Sequence, residues 1–190
     1  TDNVNAALQE RRRYSPPVCK ALSKKYSRLQ PTDDFHFTVD KEAQKQLTDI
    51  IHNTVQKIQG LSTADAAVEK TYQQKRNIGI VFSGGPAPGG HNVIAGLYDA
   101  AQKANPKSRV YGFLIGPDGI IENEALELND DLVDAYRNLG GFTMIKTGRT
   151  KIDTPKKMAL CRETCRKLDL DALVIVGGDD SNTNAAFLAQ

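Results

Sequence analysis

The sequence of 190 residues has no tryptophan, two methionines and three cysteines, and aromatic residues make up only 6% of it. Neither sign of charge dominates, because 25 basic against 23 acidic residues leave a formal net charge of +2 at pH 7. Composition therefore indicates no nucleic-acid partner. No apolar run approaches the roughly 18 residues that span a bilayer, and the start of the sequence lacks a secretory leader. We expect a soluble, cytoplasmic protein without a membrane partner.

The three cysteines do not form a disulfide framework. Cys161 and Cys165 lie four residues apart on a predicted helix, and Cys19 lies in a polar segment. No further thiol or histidine stands at zinc-ligand spacing. We expect small, core-facing residues in a reducing compartment.

Composition changes near residue 75. Residues 1–75 are rich in glutamine, lysine and arginine and almost free of glycine, and we interpret them as an N-terminal helical arm. The clearest helical pattern in this arm covers residues 39–59, with an i, i+3, i+4 stripe formed by Leu47, Ile50, Ile51, Val55 and Ile58.

Residues 76–190 alternate apolar strands with helical segments, which is typical of a parallel sheet covered on both faces. The predicted strands are 78–82, 110–115, 142–145 and 172–176. The last predicted helix has about nine residues and no C-cap. We therefore interpret residues 76–190 as one α/β domain that is incomplete at its C-terminal end, and the chain as a fragment of a longer protein.

The first predicted strand leads into a glycine-rich loop, Ser83-Gly84-Gly85-Pro86-Ala87-Pro88-Gly89-Gly90, and then into a helix. Glycines let a backbone approach a ligand closely, and the amides at a helix start favour an anion such as phosphate. The loop matches neither G-x-G-x-x-G nor the Walker spacing. A tight strand-to-helix turn without a ligand is the alternative interpretation.

A second loop, Gly177-Gly178-Asp179-Asp180-Ser181, follows the apolar strand 172–176. One carboxylate suffices to bind Mg²⁺ that also bridges substrate phosphates, and we assign Asp179 to it. A second carboxylate repels a larger polyphosphate, so Asp180 is assigned to excluding a donor with an extra phosphate. Helix capping by Asp180 or Ser181 is the alternative.

Ligands of open parallel sheets bind at the carboxyl ends of the strands, so a third loop, Lys146–Lys151, should share a rim with these two. Arg149 in this loop offers a fork of donors to a phosphate, although a surface ion pair explains it equally well. His91 is a candidate general base, with helix capping or solvent contact as the favoured alternative.

The segments around the two glycine-rich loops form longer motifs, Gly79–Asn92 and Val176–Asn184. Together these motifs resemble the pyrophosphate-dependent 6-phosphofructokinase family, and the resemblance to its long-chain members covers residues 11–190. Related ATP-dependent enzymes have glycine at the position of Asp180. The resemblance implies a three-layer, parallel-sheet phosphofructokinase-like fold, of which this chain is the donor-binding half.

The implied reaction transfers phosphate from pyrophosphate to fructose 6-phosphate, reversibly, in glycolysis and gluconeogenesis. The implied cofactor is Mg²⁺, held by Asp179, and Asp180 excludes ATP. A homo-oligomer or a complementary C-terminal chain is the expected partner. The implied donor-binding residues are Gly84, Gly85, Arg149, Gly178 and Ser181.

The family's next motif, which supplies the catalytic base and a lysine, is absent, so the base is expected beyond Gln190 and the fragment alone should be inactive. Two alternatives stay open. An ATP-dependent phosphofructokinase would have glycine at Asp180, and a non-catalytic regulatory subunit could dispense with Asp179.

Overall fold

A computed structural model describes residues 2–190 of the chain. These residues form two compact units: the segment ending at Ser15 together with Lys75–Ala185, and Pro16–Gln74 together with Ala186–Gln190. None of the helices between residues 2 and 190 is long and apolar enough to cross a bilayer.

The elements follow one another as α1 (Asp2–Arg13), a 3₁₀ turn (Lys20–Leu22), β1 (Tyr26–Pro31), α2 (Lys41–Gln46), β2 (Gln56–Leu61), α3 (Ala66–Tyr72), β3 (Asn77–Phe82), α4 (Gly90–Ala104), β4 (Arg109–Phe113), α5 (Pro117–Ile121), β5 (Ala125–Glu127), α6 (Asp130–Tyr136), α7 (Pro155–Lys167), β6 (Ala172–Val176) and α8 (Asp179–Ala189).

The first unit contains a four-stranded sheet in the order β5-β4-β3-β6. β3 pairs in parallel with both β4 and β6, and its last residue, Phe82, faces Val176 at the end of β6. The apolar runs predicted at 78–82, 110–115 and 172–176 are therefore confirmed as parallel strands, except that β4 ends at Phe113 and residues 114–115 form a turn. Because these strands run the same way, their carboxyl ends meet at one edge of the sheet.

The core of this unit joins β3 and β4 to α4 and α6. Ile80 and Phe82 of β3 are fully buried, as are Ile94 of α4 and Val133 of α6. The ring of Phe82 stacks on Phe142 with 4.1 Å between centroids. The burial of these large side chains is the main stabilising contribution that the described contacts identify.

Helix α7 confirms the predicted start signal. Thr154 accepts a hydrogen bond from the Lys157 amide, and Pro155 occupies the first turn, where its missing N–H is not needed. Cys161 is fully buried on this helix, and that burial raises the pKa of its thiol to about 11. Cys165 is half-buried and Cys19 exposed, and all three are free thiols.

One strand prediction is wrong, and one strand was not predicted. Residues 142–145, predicted as a strand, form a turn whose apolar side chains Phe142, Met144 and Ile145 enter the core. The fourth strand is instead β5, a three-residue edge strand antiparallel to β4, which the sequence analysis missed. The sheet is thus mixed, while the predicted α/β class is confirmed.

The second unit corrects the prediction that residues 1–75 are a helical arm. Asp40 caps α2 as a helix start, but that helix ends at Gln46, and residues 56–61 pair antiparallel with 26–31. Ile58, predicted on the helical stripe, lies opposite Leu29 across the strands. Pairing with a distant segment overrides a local helical pattern that lacks a packing partner.

The described part of α1 belongs to the first unit rather than to the second. Asn138, which follows α6 with φ +56°, donates its amide hydrogens to the carbonyl oxygens of Arg11 (2.8 Å) and Tyr14 (2.7 Å). Its Oδ1 accepts from Asn92 Nδ2 at 3.1 Å. We call this contact the Asn138 clasp. The predicted boundary between domains 1–75 and 76–190 stays a prediction.

Substitution Asn138→Asp should lower the free energy of unfolding of the first unit by about 2 kcal/mol, because a carboxylate would face two carbonyl oxygens without a hydrogen to donate. The control Asn138→Gly keeps the left-handed backbone and removes the side chain, so it should cost about half as much. Urea unfolding measures both values, and limited proteolysis reports release of the N-terminal segment. Equal stability of the two variants would contradict the clasp.

Candidate functional site

Three loops meet at the carboxyl ends of the parallel strands. The first follows β3, the second follows β6, and the third is Lys146–Lys151. The amide of Ser83 donates to the Val176 carbonyl, and the amide of Gly84 donates to the Gly148 carbonyl; the N···O distance is 2.8 Å in each. Ser83 and Gly148 also form a parallel bridge. The first loop therefore lies between the other two, on the rim that the sequence analysis predicted.

The third loop packs backbone against backbone. A Cβ atom on Gly148 would lie 2.3 Å from the carbonyl oxygen of Ile115, closer than real side chains come. Thr150 secures the far end of the loop by donating to Asp118 Oδ2 over 2.8 Å. Glycine at position 148 is therefore required by loop-to-loop contact, without any reference to a ligand.

Gly84 and Gly85 occupy different environments in the first loop. Gly84 has φ +99°, and both its backbone polar groups are bonded: its amide to Gly148, and its carbonyl to Thr147 Oγ1 at 2.8 Å. Gly85 is exposed, and a Cβ atom there would lie 3.3 Å from Nη2 of Arg149. The structure thus brings Arg149 and Gly85 together, while the Gly84 amide is committed to the neighbouring loop.

Arg149 itself is exposed. Among residues 2–190 it takes part in no salt bridge, so the alternative of a surface ion pair has no support in the described part of the chain. A guanidinium that is not neutralised, lying over a glycine loop, suits a phosphate or another anion.

Gly178, Asp179 and Asp180 are exposed at the start of α8. Asp179 Oδ1 accepts a hydrogen bond from the Asp180 amide at 3.0 Å, and the Ser181 hydroxyl bonds to Ser83 instead of to an amide of this turn. No protein donor to the other carboxylate oxygen of Asp179 is described between residues 2 and 190. That oxygen suits Mg²⁺, which commonly takes one carboxylate and completes its shell with water and phosphates.

Within the described residues no group of three or more histidine, cysteine or acidic side chains could hold a metal ion by protein ligands alone. A magnesium ion at Asp179 would take its other ligands from water or from a bound phosphate.

Ser181 differs from its neighbours in the second loop. Only 4% of it is exposed, and its hydroxyl donates to Ser83 Oγ over 2.9 Å. The predicted donor-binding hydroxyl therefore lies below the rim, bonded to another loop. Ser83 and Thr147 have equally definite contacts that the sequence analysis did not single out. Their only sequence signal is their position beside Gly84 and Gly148.

His91 lies in the first turn of α4, where only 1% of it is exposed, and it does not cap the helix. Its Nε2 accepts the amide hydrogen of Met144 at 3.0 Å, which requires the neutral ring protonated at Nδ1. Burial lowers the pKa of His91, which the nearby Gly140 backbone partly opposes, and the ring Nδ1 is buried without a hydrogen-bond partner among residues 2–190. His91 therefore anchors the 140–145 turn, and the favoured alternative of capping or solvent contact was wrong.

Comparison with known proteins finds a family match and several similar proteins. A family model described as phosphofructokinase matches residues 77–190. The pyrophosphate–fructose 6-phosphate 1-phosphotransferase of Porphyromonas gingivalis is 56% identical over 122 residues, which cover 64% of this chain and 22% of that protein. Subunit beta 1 of the Arabidopsis thaliana protein of the same name is 55% identical over 116 residues, or 61% of this chain and 20% of that subunit. The chain spans about a fifth of the length of these relatives.

Solved structures match in fold. The pyrophosphate-dependent phosphofructokinase of Nitrosospira multiformis superposes with a TM-score of 0.54 at 22% identity, covering 60% of this chain and 29% of that one. At this identity the match supports the fold alone.

The lowered pKa of His91 predicts a pH-dependent stability. The unfolded chain binds a proton on His91 more tightly than the folded chain does. The contribution of neutral His91 to the free energy of unfolding is therefore complete above pH about 6.5 and is lost as the pH falls below that value. The loss is at most about 1.4 kcal/mol per pH unit. His91→Gln keeps an acceptor for the Met144 amide without titrating, so its stability should fall less between pH 7.5 and 5.5. Urea unfolding at both pH values measures this.

The control His52→Gln, at an exposed histidine, should keep the full pH dependence of the parent chain. Identical pH profiles for His91→Gln and His52→Gln would show that His91 does not titrate as described.

Proposed function

Because the chain belongs to the phosphofructokinase family, we propose that it supplies the phosphoryl-donor and magnesium site of a pyrophosphate-dependent 6-phosphofructokinase. The complete enzyme would transfer a phosphoryl group from pyrophosphate to the 1-hydroxyl of fructose 6-phosphate, giving fructose 1,6-bisphosphate and phosphate. The single observation that supports this assignment is the pair of exposed acids, Asp179 and Asp180, at the start of α8, next to the first loop, whose Gly85 lies against Arg149 of the third loop.

Positive and negative groups have separate tasks in this proposal. Arg149, above Gly85, binds the donor phosphates and neutralises their charge. Gly85 and Gly178 leave room for those phosphates, because neither carries a side chain and a Cβ on Gly178 would meet no atom within 4 Å. Catalysis of phosphoryl transfer depends mainly on positioning and charge neutralisation, which suits a site built from loops and one arginine.

Asp179 would hold Mg²⁺ through its carboxylate. When bound, the ion supplies charge neutralisation at the phosphate oxygens. Asp180 would exclude ATP, because its carboxylate lies next to Asp179 on the same exposed turn and repels an additional phosphate. A donor with two phosphates avoids that repulsion. Since pyrophosphate and the sugar-phosphate product are similar in energy, we propose that the reaction runs in either direction.

The remaining parts of the enzyme would come from outside these 190 residues. The chain spans about a fifth of its curated relatives, and we propose that the catalytic base and the sugar-phosphate site lie in the polypeptide that completes it, or in a complementary chain. We further propose a homo-oligomer that works in the cytoplasm. The name of the Arabidopsis thaliana relative describes that protein as a subunit.

The decisive experiment replaces Asp180 by glycine in the complete enzyme. Removing the carboxylate should raise kcat/KM for ATP by about tenfold or more and lower kcat/KM for pyrophosphate, because the repulsion of a third phosphate is lost. Steady-state assays with each donor measure both values. Asp180→Asn keeps the shape without the charge and separates electrostatic from steric exclusion. An Asp180→Gly enzyme that gains no ATP activity contradicts the exclusion role.

Substitution Asp179→Asn should raise the Mg²⁺ concentration for half-maximal activity by about tenfold or more, since a neutral amide is a poorer ligand for a hard cation. Titration of activity with Mg²⁺ at fixed pyrophosphate measures the shift. Asp180→Asn is the matched control, because it removes the same charge one residue away. If both variants shift the Mg²⁺ titration equally, Asp179 acts through charge alone and does not bind the ion.

A further inference from the structure

Two serine hydroxyls lie beneath the exposed rim of the three loops. Ser83 directly follows β3 and is 7% exposed, and Ser181 in the first turn of α8 is 4% exposed. Asp179, Asp180 and Arg149 are exposed above them. The two serines are therefore placed to support the rim rather than to contact a ligand on it.

The two hydroxyls are bonded to each other. Ser181 Oγ donates to Ser83 Oγ over 2.9 Å, and it also lies 3.3 Å from the Ser83 carbonyl oxygen. A hydroxyl has one hydrogen to donate, so the shorter contact is the main bond and the longer one a weaker branch. This bond joins residues 98 positions apart, at the end of one strand and the start of one helix.

Backbone atoms of Ser83 and Gly177 pack closely around this hydrogen bond. The Ser83 amide donates to the Val176 carbonyl at 2.8 Å. A Cβ atom on Gly177 would lie 2.3 Å from Ser181 Oγ and 2.5 Å from the Ser83 carbonyl oxygen. Any side chain at position 177 would therefore push the first turn of α8 away from β3, and the hydroxyl pair occupies the space that glycine leaves.

We propose that Ser83 and Ser181 are a pair of positioning residues whose hydrogen bond fixes the first turn of α8 against the first loop. The pair thereby sets where Asp179 and Asp180 stand relative to Arg149 and Gly85, which belong to the other two loops. This inference rests on the proposed function, because the group being positioned is the pyrophosphate and magnesium site. Ser181 acts on the donor through the turn it anchors and not by direct contact.

Loss of the bond lets the two loops separate while the strands stay paired. Binding groups must be held within about 0.5 Å of their productive geometry, so a small movement of this turn weakens the binding of the donor. Ser181→Ala and Ser83→Ala should each raise the KM for pyrophosphate by about tenfold in the complete enzyme, with the KM for fructose 6-phosphate unchanged. The double variant should be no worse than either single one, because both remove the same bond.

The matched control is Thr164→Ala, which removes a buried hydroxyl (2% exposed) on α7, outside the three loops. It should leave the KM for pyrophosphate unchanged. Hydrogen exchange of the amides at residues 179–184 gives a readout independent of catalysis: it should quicken in Ser181→Ala and Ser83→Ala but not in Thr164→Ala. Ser181→Cys keeps the side-chain shape with a weaker donor and should fall between the parent and Ser181→Ala.

The outcomes of these experiments distinguish a failure of the proposed function from a failure of the positioning role of Ser83 and Ser181. An enzyme that uses no pyrophosphate overturns the proposed function, whatever the serine variants do. If pyrophosphate is used but the variants lower kcat alone, with both KM values and the exchange at 179–184 unchanged, the pair is merely structural and the inference is overturned. Additive effects in the double variant also overturn it. Should Ser181→Ala fail to fold, Ser83→Ala and Ser181→Cys provide the same comparison.

Discussion

The pairing of β3 with β6 is the constraint on which the site depends. Because the strands are parallel and in a register that sets Phe82 opposite Val176, the chain leaves both strands at the same edge and height of the sheet. The loop that begins at Ser83 and the turn that begins at Gly177 are thereby brought together at that edge. A slip of one residue would move one loop by about 3.3 Å along the strand and turn its side chains to the other face.

Several polar backbone groups near the rim are bonded to neighbouring loops of the chain. Gly84 donates to Gly148, Ser83 donates to Val176, and Thr147 bonds back to Gly84. These bonds fix the backbone of the rim from which Arg149 and the two acids of α8 extend. Preorganisation of this kind lowers the ordering cost of binding.

Much of the first unit could be predicted because its signals are local. The apolar runs that became β3, β4 and β6, the Thr154 cap and the Pro155 start of α7 each act within a few neighbouring residues. Predictions failed where contacts with distant segments determine the local conformation. Residues 142–145 are apolar enough for a strand but fill the core from a turn, and residues 56–61 continue a helical pattern yet pair with 26–31. His91 was misjudged because burial and the Met144 amide lie outside its local sequence.

The sequence by itself determined the α/β class, the two glycine-rich loops and the residue types, two acids and an arginine, that suit a magnesium-bound polyphosphate. Only the tertiary structure decided which of those residues reach the rim. Gly84 and Ser181 share the composition of a phosphate loop, yet their polar groups bind Gly148 and Ser83, whereas Arg149 stays exposed above Gly85. The physical reason is that a side chain's chemistry is carried by its own residue, while its burial and its hydrogen-bond partner depend on distant segments, 98 residues away for Ser181 and Ser83.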